Sequence, residues 1–119
     1  MAESGFKKLE IWQIGKDLAV EIYKVTAEGD IGRDFGLRDQ IRRSAVSIPS
    51  NIAKGDERDT DKESIRFFYI AKGSLAELRT QLQIAYEIGY IDSDLFHSLD
   101  VRYDRLAKKT GALIKARKR

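Results

Sequence analysis

The chain contains no cysteine, so a disulfide framework, a thiolate metal site and a thiol nucleophile are all closed to it. It has one histidine, His97, which excludes a multi-histidine metal cluster. No run of about 18 consecutive apolar residues occurs, the length a membrane-spanning helix requires. The stretch Met1 to Lys8 lacks the apolar core of a signal peptide. No segment alternates apolar and polar residues at period two for long enough to argue for a strand. These absences lead to the expectation of a soluble, cytoplasmic, all-α protein with no membrane association, no metal, no cofactor and no catalytic residue.

At 119 residues, 42% hydrophobic and 34% charged, the chain is long enough for one core but not two, and a single domain over 1–119 is expected. Its net charge of +3 hides an asymmetry: residues 1–101 carry 14 lysines and arginines against 18 acids, whereas residues 102–119 carry 8 against 1. Arg102, Arg105, Lys108, Lys109, Lys115, Arg117, Lys118 and Arg119 thus form a basic C-terminal end suited to phosphate contact. The same residues would also complement the dipole of a last helix and keep the chain soluble.

The only proline, Pro49, lies in a segment with an uninterrupted helical period, in which Leu37, Ile41, Ala45, Ile48 and Ile52 mark an apolar stripe. Lacking an N–H and crowding the carbonyl of Ala45, Pro49 should kink or restart that helix. The period places four helices along the chain. The first runs from about Leu9 to Thr26, with Ile11, Ile14, Leu18, Ile22 and Val25 on one stripe. A loop over Ala27 to Phe35 leads to the second, Gly36 to Lys54, closed by a left-handed Gly55. A charged turn follows, with Thr60 or Asp61 as cap for the third helix, Asp61 to Ile88, whose stripe is Phe68, Ala71, Leu75, Leu78, Leu82 and Ala85. Gly89 ends it, and Asp92 to Asp94 open the fourth, lined by Leu95, Leu99, Tyr103, Leu106, Thr110 and Leu113. Short connections favour an antiparallel up-down-up-down four-helix bundle, with helix 2 kinked at Pro49.

Apolar surface exceeds what one core requires. Phe67, Phe68, Tyr69, Ile70 and Ala71 in succession cover most of the third helix, and Trp12, Tyr23, Tyr86 and Tyr90 add aromatic area. That excess points either to a partner interface, with a homo-oligomer as the default, or to closure of the bundle ends.

Catalytic constellations are missing. His97 has acids nearby in sequence but no positioned nucleophile, and Lys72-Gly73-Ser74 lacks the glycine-rich lead of a phosphate loop, so Gly73 reads as a close-packing residue. The polar stripe of the second helix is more informative. Ser47 and Asn51 are placed to face Ser74, Glu77 and Gln81 of the third helix, as an interhelical hydrogen-bond network or as the floor of a binding groove. Around them Arg42, Arg43, Lys54 and Arg58 are candidate contacts to RNA phosphates or another acidic ligand.

Several stretches carry a family resemblance over nearly the whole chain. They are Leu9-Glu-Ile-Trp, Tyr23-Lys-Val-Thr, the long run from Phe35 to Gly55 that contains Arg42-Arg-Ser-Ala-Val-Ser-Ile-Pro-Ser-Asn-Ile-Ala, Ile70-Ala-Lys-Gly-Ser-Leu-Ala-Glu-Leu-Arg-Thr-Gln-Leu, and Ala85-Tyr-Glu-Ile-Gly-Tyr. The sequence resembles the four-helix bundle proteins encoded in intervening sequences of bacterial 23S ribosomal RNA genes. It is similar in architecture to the accessory variability proteins of diversity-generating retroelements. It departs from the family pattern at Lys54, where glutamate is expected before the glycine, and this raises the local positive charge. The resemblance implies an antiparallel four-helix bundle, a homopentameric ring without enzymatic activity, and association with RNA or with a protein partner such as a reverse transcriptase.

Overall fold

Ile41, Ala45, Ile48 and Ile52 are completely buried, and the helix they build runs unbroken over Phe35–Asp56. The computed structural model describes residues 5–118. After a 3-10 turn at Gly5–Lys8 come five helices: α1 (Glu10–Val25), α2 (Gly29–Arg33), α3 (Phe35–Asp56), α4 (Asp61–Glu87) and α5 (Ser93–Arg117). No strand occurs among the described residues, and the chain is an all-α helical bundle.

Each long helix offers one apolar stripe to a common core. Ile11, Leu18 and Ile22 come from α1, Phe68, Leu75, Leu78 and Leu82 from α4, and Leu99, Tyr103, Leu106 and Ile114 from α5. Three helix starts are fixed by side-chain caps that satisfy an orphan backbone N–H. The Asp34 carboxylate accepts from the Leu37 N–H at 3.1 Å, the Thr60 hydroxyl from Glu63 at 3.2 Å, and Asp92 from Leu95 at 2.8 Å.

Helix α1 packs on α3, α3 on α4, α4 on α5, and α5 returns to α1. Side-chain contacts set the register. Ser44 meets Glu77 and Ser47 meets Ser74, while Ser64 reaches the carbonyl of Gly55. Between α1 and α5, Glu10 pairs with Lys109 and Glu21 with Arg102. One end of the bundle therefore collects the Gly5–Lys8 turn, the α3–α4 connection and the finish of α5. The other collects α2, the start of α3 and the α4–α5 connection.

Several expectations need correction. The expected loop from Ala27 to Phe35 contains the one-turn helix α2, whose single buried residue is Ile31. Helix α3 does not restart at Pro49, and it continues past Gly55 to Asp56. Gly55 is not left-handed; among the described residues only Gly5, Gly29 and Gly89 have positive φ. It is required for space instead, because a Cβ there would stand 2.7 Å from the Phe68 ring and 3.0 Å from the Ser64 carbonyl oxygen. Gly73 faces open space, so the close packing expected of it is absent within the chain. At Gly15 of α1 an added Cβ would meet Ile48 and Pro49 of α3 at 3.5 Å, an ordinary contact distance. Ile114 of α5, not Leu113, is the residue buried in that last turn.

Candidate functional site

Folding redistributes the charge that the linear sequence divides at residue 101. The segments gathered at the first end, residues 5–12, 54–66 and 108–118, carry 11 lysines and arginines against 6 acids. Those at the other end, residues 21–43 and 83–100, carry 5 against 9. The molecule, 44 Å in its longest dimension, is electrically polar along its length.

The candidate phosphate contacts divide into engaged and free groups. Arg42 is a clip: its Nε donates to the Thr26 hydroxyl at 2.8 Å, its Nη2 to the Tyr23 carbonyl at 3.2 Å, and its guanidinium covers the Tyr23 ring. Arg102 forms a two-pronged pair with Glu21 at 2.6 and 2.8 Å, so α5 is tied to α1. Lys108 pairs with Asp104, Lys109 with Glu10, and Arg117 with Asp56 while lying over the Phe68 ring. Lys118 donates to the Tyr69 hydroxyl at 2.8 Å. Arg58, an exposed residue, covers Phe67 with its guanidinium. Among the described residues Arg43, Lys54, Arg58, Arg105 and Lys115 enter no ion pair. Arg119 lies outside the described residues.

Arg42 and Arg43 of α3 and the C-terminal cations do not converge. Arg43 stands 11 residues before Lys54 on one helix, about 16 Å along its axis. The basic end instead brings Lys54 and Arg58 together with Lys115 and Lys118. Lys7, Lys8 and Lys62, which composition alone did not single out, share that end and are exposed. Only the meeting of helix ends in three dimensions could identify them.

The α3–α4 seam is polar and hydrogen-bonded. The Ser44 hydroxyl donates to Glu77 Oε1 at 2.8 Å, Ser47 and Ser74 share a 2.8 Å bond, and the Asn51 amide donates to the Ser47 carbonyl and hydroxyl at 2.8 and 3.0 Å. Gln81 differs: it is buried, yet its Oε1 has no partner. Beside it a cleft of about 310 Å³ opens between Gln40, Arg43, Ser44, Glu77 and Gln81.

The apolar surplus also divides. Phe68 and Ala71 enter the core, whereas Tyr69 and Ile70 remain exposed. Tyr86 stacks on Phe96 with ring centres 4.6 Å apart, and the Tyr90 hydroxyl donates to Asp34 at 3.0 Å, so these two close one end of the bundle. Trp12 and Tyr23 instead line an apolar groove of about 510 Å³ between α1 and α3, with Val20, Val46 and Pro49. His97 is exposed one turn into α5, its Nδ1 lying 2.8 Å from the Ser93 carbonyl oxygen. Among the described residues no group of His, Asp or Glu converges to hold a metal ion, and no helix is long and apolar enough to cross a membrane.

Several ionisable groups respond to this packing, Glu21 and Tyr103 among them. The Arg102 hydrogen bonds hold the Glu21 carboxyl below the usual glutamate range. Burial drives the Tyr103 phenol well above the usual tyrosine range, and its hydroxyl finds no hydrogen-bond partner.

Comparison with known proteins agrees with the architecture. A crystal structure of a protein of unknown function from the S23 ribosomal protein family of Bacteroides thetaiotaomicron superposes with a TM-score of 0.81 at 23% identity, over 88% of this chain and 98% of that one. No curated protein matches the chain. The family model for the 23S rRNA-intervening sequence protein matches residues 7–112, which takes in all of α1 to α4 and most of α5. The chain belongs to the 23S rRNA-intervening sequence protein family.

Proposed function

We propose that this chain is a non-catalytic, self-associating cytoplasmic protein that binds RNA through the basic end of its bundle. The observation that carries this reading is the gathering of Lys54, Arg58, Lys115 and Lys118 at one end, with Lys54, Arg58 and Lys115 free of ion pairs among the described residues. Unpaired lysines and arginines release counterions from a phosphate backbone without first breaking an internal bridge. Membership in a family named for intervening sequences of 23S rRNA supports RNA as the polyanion. Phe67 and Tyr69 beneath Arg58 and Lys118 add flat surfaces of the kind on which unpaired bases stack.

In this reading residues 1–119 form one domain, an up-down-up-down four-helix bundle with α2 as an insertion and α3 bent at Pro49. Touching pairs such as Ser44 with Glu77 and Ser64 with Gly55 support the alternation of direction. Val20, Tyr23 and Val46 on one side, and Ile84, Ile88 and Val101 elsewhere, are exposed apolar residues on two different surfaces. A contact between unlike surfaces propagates by rotation and forms a ring when that rotation closes. The family resemblance makes that ring a homopentamer, which would repeat the basic end around one rim. Light scattering of the purified protein checks the subunit number.

The test of function is binding of single-stranded RNA before and after reversing Lys54, Arg58, Lys115 and Lys118 to glutamate. Loss of binding with retained helicity supports the proposal; undiminished binding contradicts it. The groove between α1 and α3 favours a second reading, a protein-interaction module whose partner, such as a reverse transcriptase, docks an apolar segment there. Association that survives high salt but fails on replacing Val20 and Tyr23 would select it.

A further inference from the structure

The cleft between α3 and α4 has no role in the electrostatic reading above, and its chemistry differs from that of the basic end. Its ionic walls are Arg43 and Glu77, one of each sign. A phosphate entering it would gain from the first and be repelled by the second, and a cation would meet the reverse. The lining favours a neutral ligand rich in hydrogen-bonding groups.

The vacant groups specify that ligand further. Gln81 is only 8% exposed, and its carboxamide oxygen is buried without a partner. A buried acceptor left unpaired is unfavourable, and the surroundings normally supply a donor. Gln81 lines the cleft, and its last torsion has a broad and shallow profile that lets the carboxamide reorient. Glu77 Oε1 is occupied by the Ser44 hydroxyl at 2.8 Å, and this bond holds the carboxylate in place with Oε2 available as a second acceptor. Arg43 stands exposed at the rim with no ion pair among the described residues, and a guanidinium plane stacks on flat rings. One buried acceptor at Gln81, one exposed acceptor at Glu77 and the planar cation of Arg43 suit a heterocycle that carries an amino group.

We infer that this cleft is a site for one unstacked nucleobase of single-stranded RNA, taken by its exocyclic amine, which donates to Gln81 Oε1 and Glu77 while Arg43 covers the ring. The inference rests on the RNA-binding reading and refines it. Adenine, cytosine and guanine each present an exocyclic amine, and uracil presents only carbonyls around one ring N–H, so the site discriminates against uracil. Arg43 lies on the same helix as Lys54, about 16 Å away along its axis. A strand whose phosphates rest on the basic end reaches the cleft along α3.

The experiment measures fluorescence anisotropy of labelled oligo(C), oligo(A) and oligo(U) of about 12 nucleotides, a length within the range of single-strand sites. Wild type, Gln81→Leu, Arg43→Ala and the four-residue charge reversal are compared at one low salt concentration. The expected result is binding of oligo(C) and oligo(A) tighter than oligo(U) by roughly tenfold. Gln81→Leu and Arg43→Ala bring that ratio toward one, and the charge reversal weakens all three oligonucleotides alike. Circular dichroism checks that each variant is folded, and Arg43→Ala, at an exposed position, carries the test if Gln81→Leu is not. Equal binding of the three sequences by wild type, or a ratio unchanged in the cleft variants, overturns the base site and leaves the RNA reading standing. Absence of binding to every sequence overturns both.

Discussion

The two ends of this bundle are built from the same helices and have opposite characters. At the end formed by α2 and the α4–α5 connection, acids outnumber cations, and three of the four local arginines are occupied: Arg33 pairs with Asp30, Arg38 with Asp39, and Arg42 clips α1 to α3, while Lys24 and Arg43 enter no ion pair among the described residues. At the end formed by the α3–α4 turn and the finish of α5, cations are in excess and several are free. Charge alone therefore does not mark a binding surface. An arginine already held by a carboxylate or a carbonyl has its hydrogen bonds satisfied, and a phosphate must displace them. The lysines and arginines left over at the basic end carry no such cost.

The sharpest way to break this contrast is to disturb the scaffold of the basic end alone. Gly55→Ala drives a methyl group into the Phe68 ring and the Ser64 carbonyl. An overpacking cost of about 1–3 kcal/mol is expected, read as a lowered midpoint in urea unfolding. Restoration by a compensating Phe68→Leu would tie the loss to that contact.

At the other end the Arg102–Glu21 pair is the tie to test. Its side chains are more than one-third exposed, so Arg102→Met should cost at most about 1 kcal/mol. The pair also has a pH signature. Because Glu21 is held below its ordinary pKa when folded, its contribution is present above the unfolded value and is lost as pH falls through the folded one. Acid titration of stability should be shallower in Arg102→Met than in wild type, and identical curves would remove this pair from the account.

The smallest effect belongs to Tyr103, in the core between the two ends. Its hydroxyl is buried and unpartnered, so Tyr103→Phe should be neutral or stabilising by up to about 1 kcal/mol at pH 7. Burial raises its pKa, so the wild type should lose stability as pH rises past about 10, where the unfolded tyrosine ionises. Chemical denaturation at neutral and alkaline pH should show Tyr103→Phe without that component, and a destabilised variant at pH 7 would reveal a hydrogen bond to the hydroxyl.

The core was legible in the sequence because every buried stripe repeats at three and four residues. Ile41, Ala45, Ile48 and Ile52 on α3, and Phe68, Ala71, Leu75, Leu78, Leu82 and Ala85 on α4, are all at most 1% exposed. Helix α2 was not legible, since one turn anchored by Ile31 has no period to detect. Glycines were misread for a related reason. Gly55 and Gly73 look alike in sequence, and only the neighbour across the interface, Phe68 for one and open space for the other, tells them apart. The candidate site was legible as residue types but not as an arrangement. Arg42 and Arg43 are adjacent, yet Arg42 reaches partners 16 and 19 residues away while Arg43 makes none among the described residues. Local spacing contains no information about that divergence. Gln81 fell within the expected polar seam, but its unpaired oxygen depends on where Ser44 and Glu77 direct their own hydrogen bonds.

The central claim, that the free cations of one end take up RNA, is tested most directly by the salt dependence of binding to a mixed-sequence single-stranded RNA. Three proteins are compared: wild type, the Lys54, Arg58, Lys115 and Lys118 reversal, and a reversal of Glu28, Glu87 and Asp94 to lysine at the acidic end. With four phosphate contacts at about 0.7 counterions each, the logarithm of the wild-type binding constant should fall against log salt with a slope of about −3. The basic-end reversal should abolish that slope together with the binding, and the acidic-end reversal should preserve the slope. Binding that ignores salt, or that survives reversal of the basic end, would contradict the account.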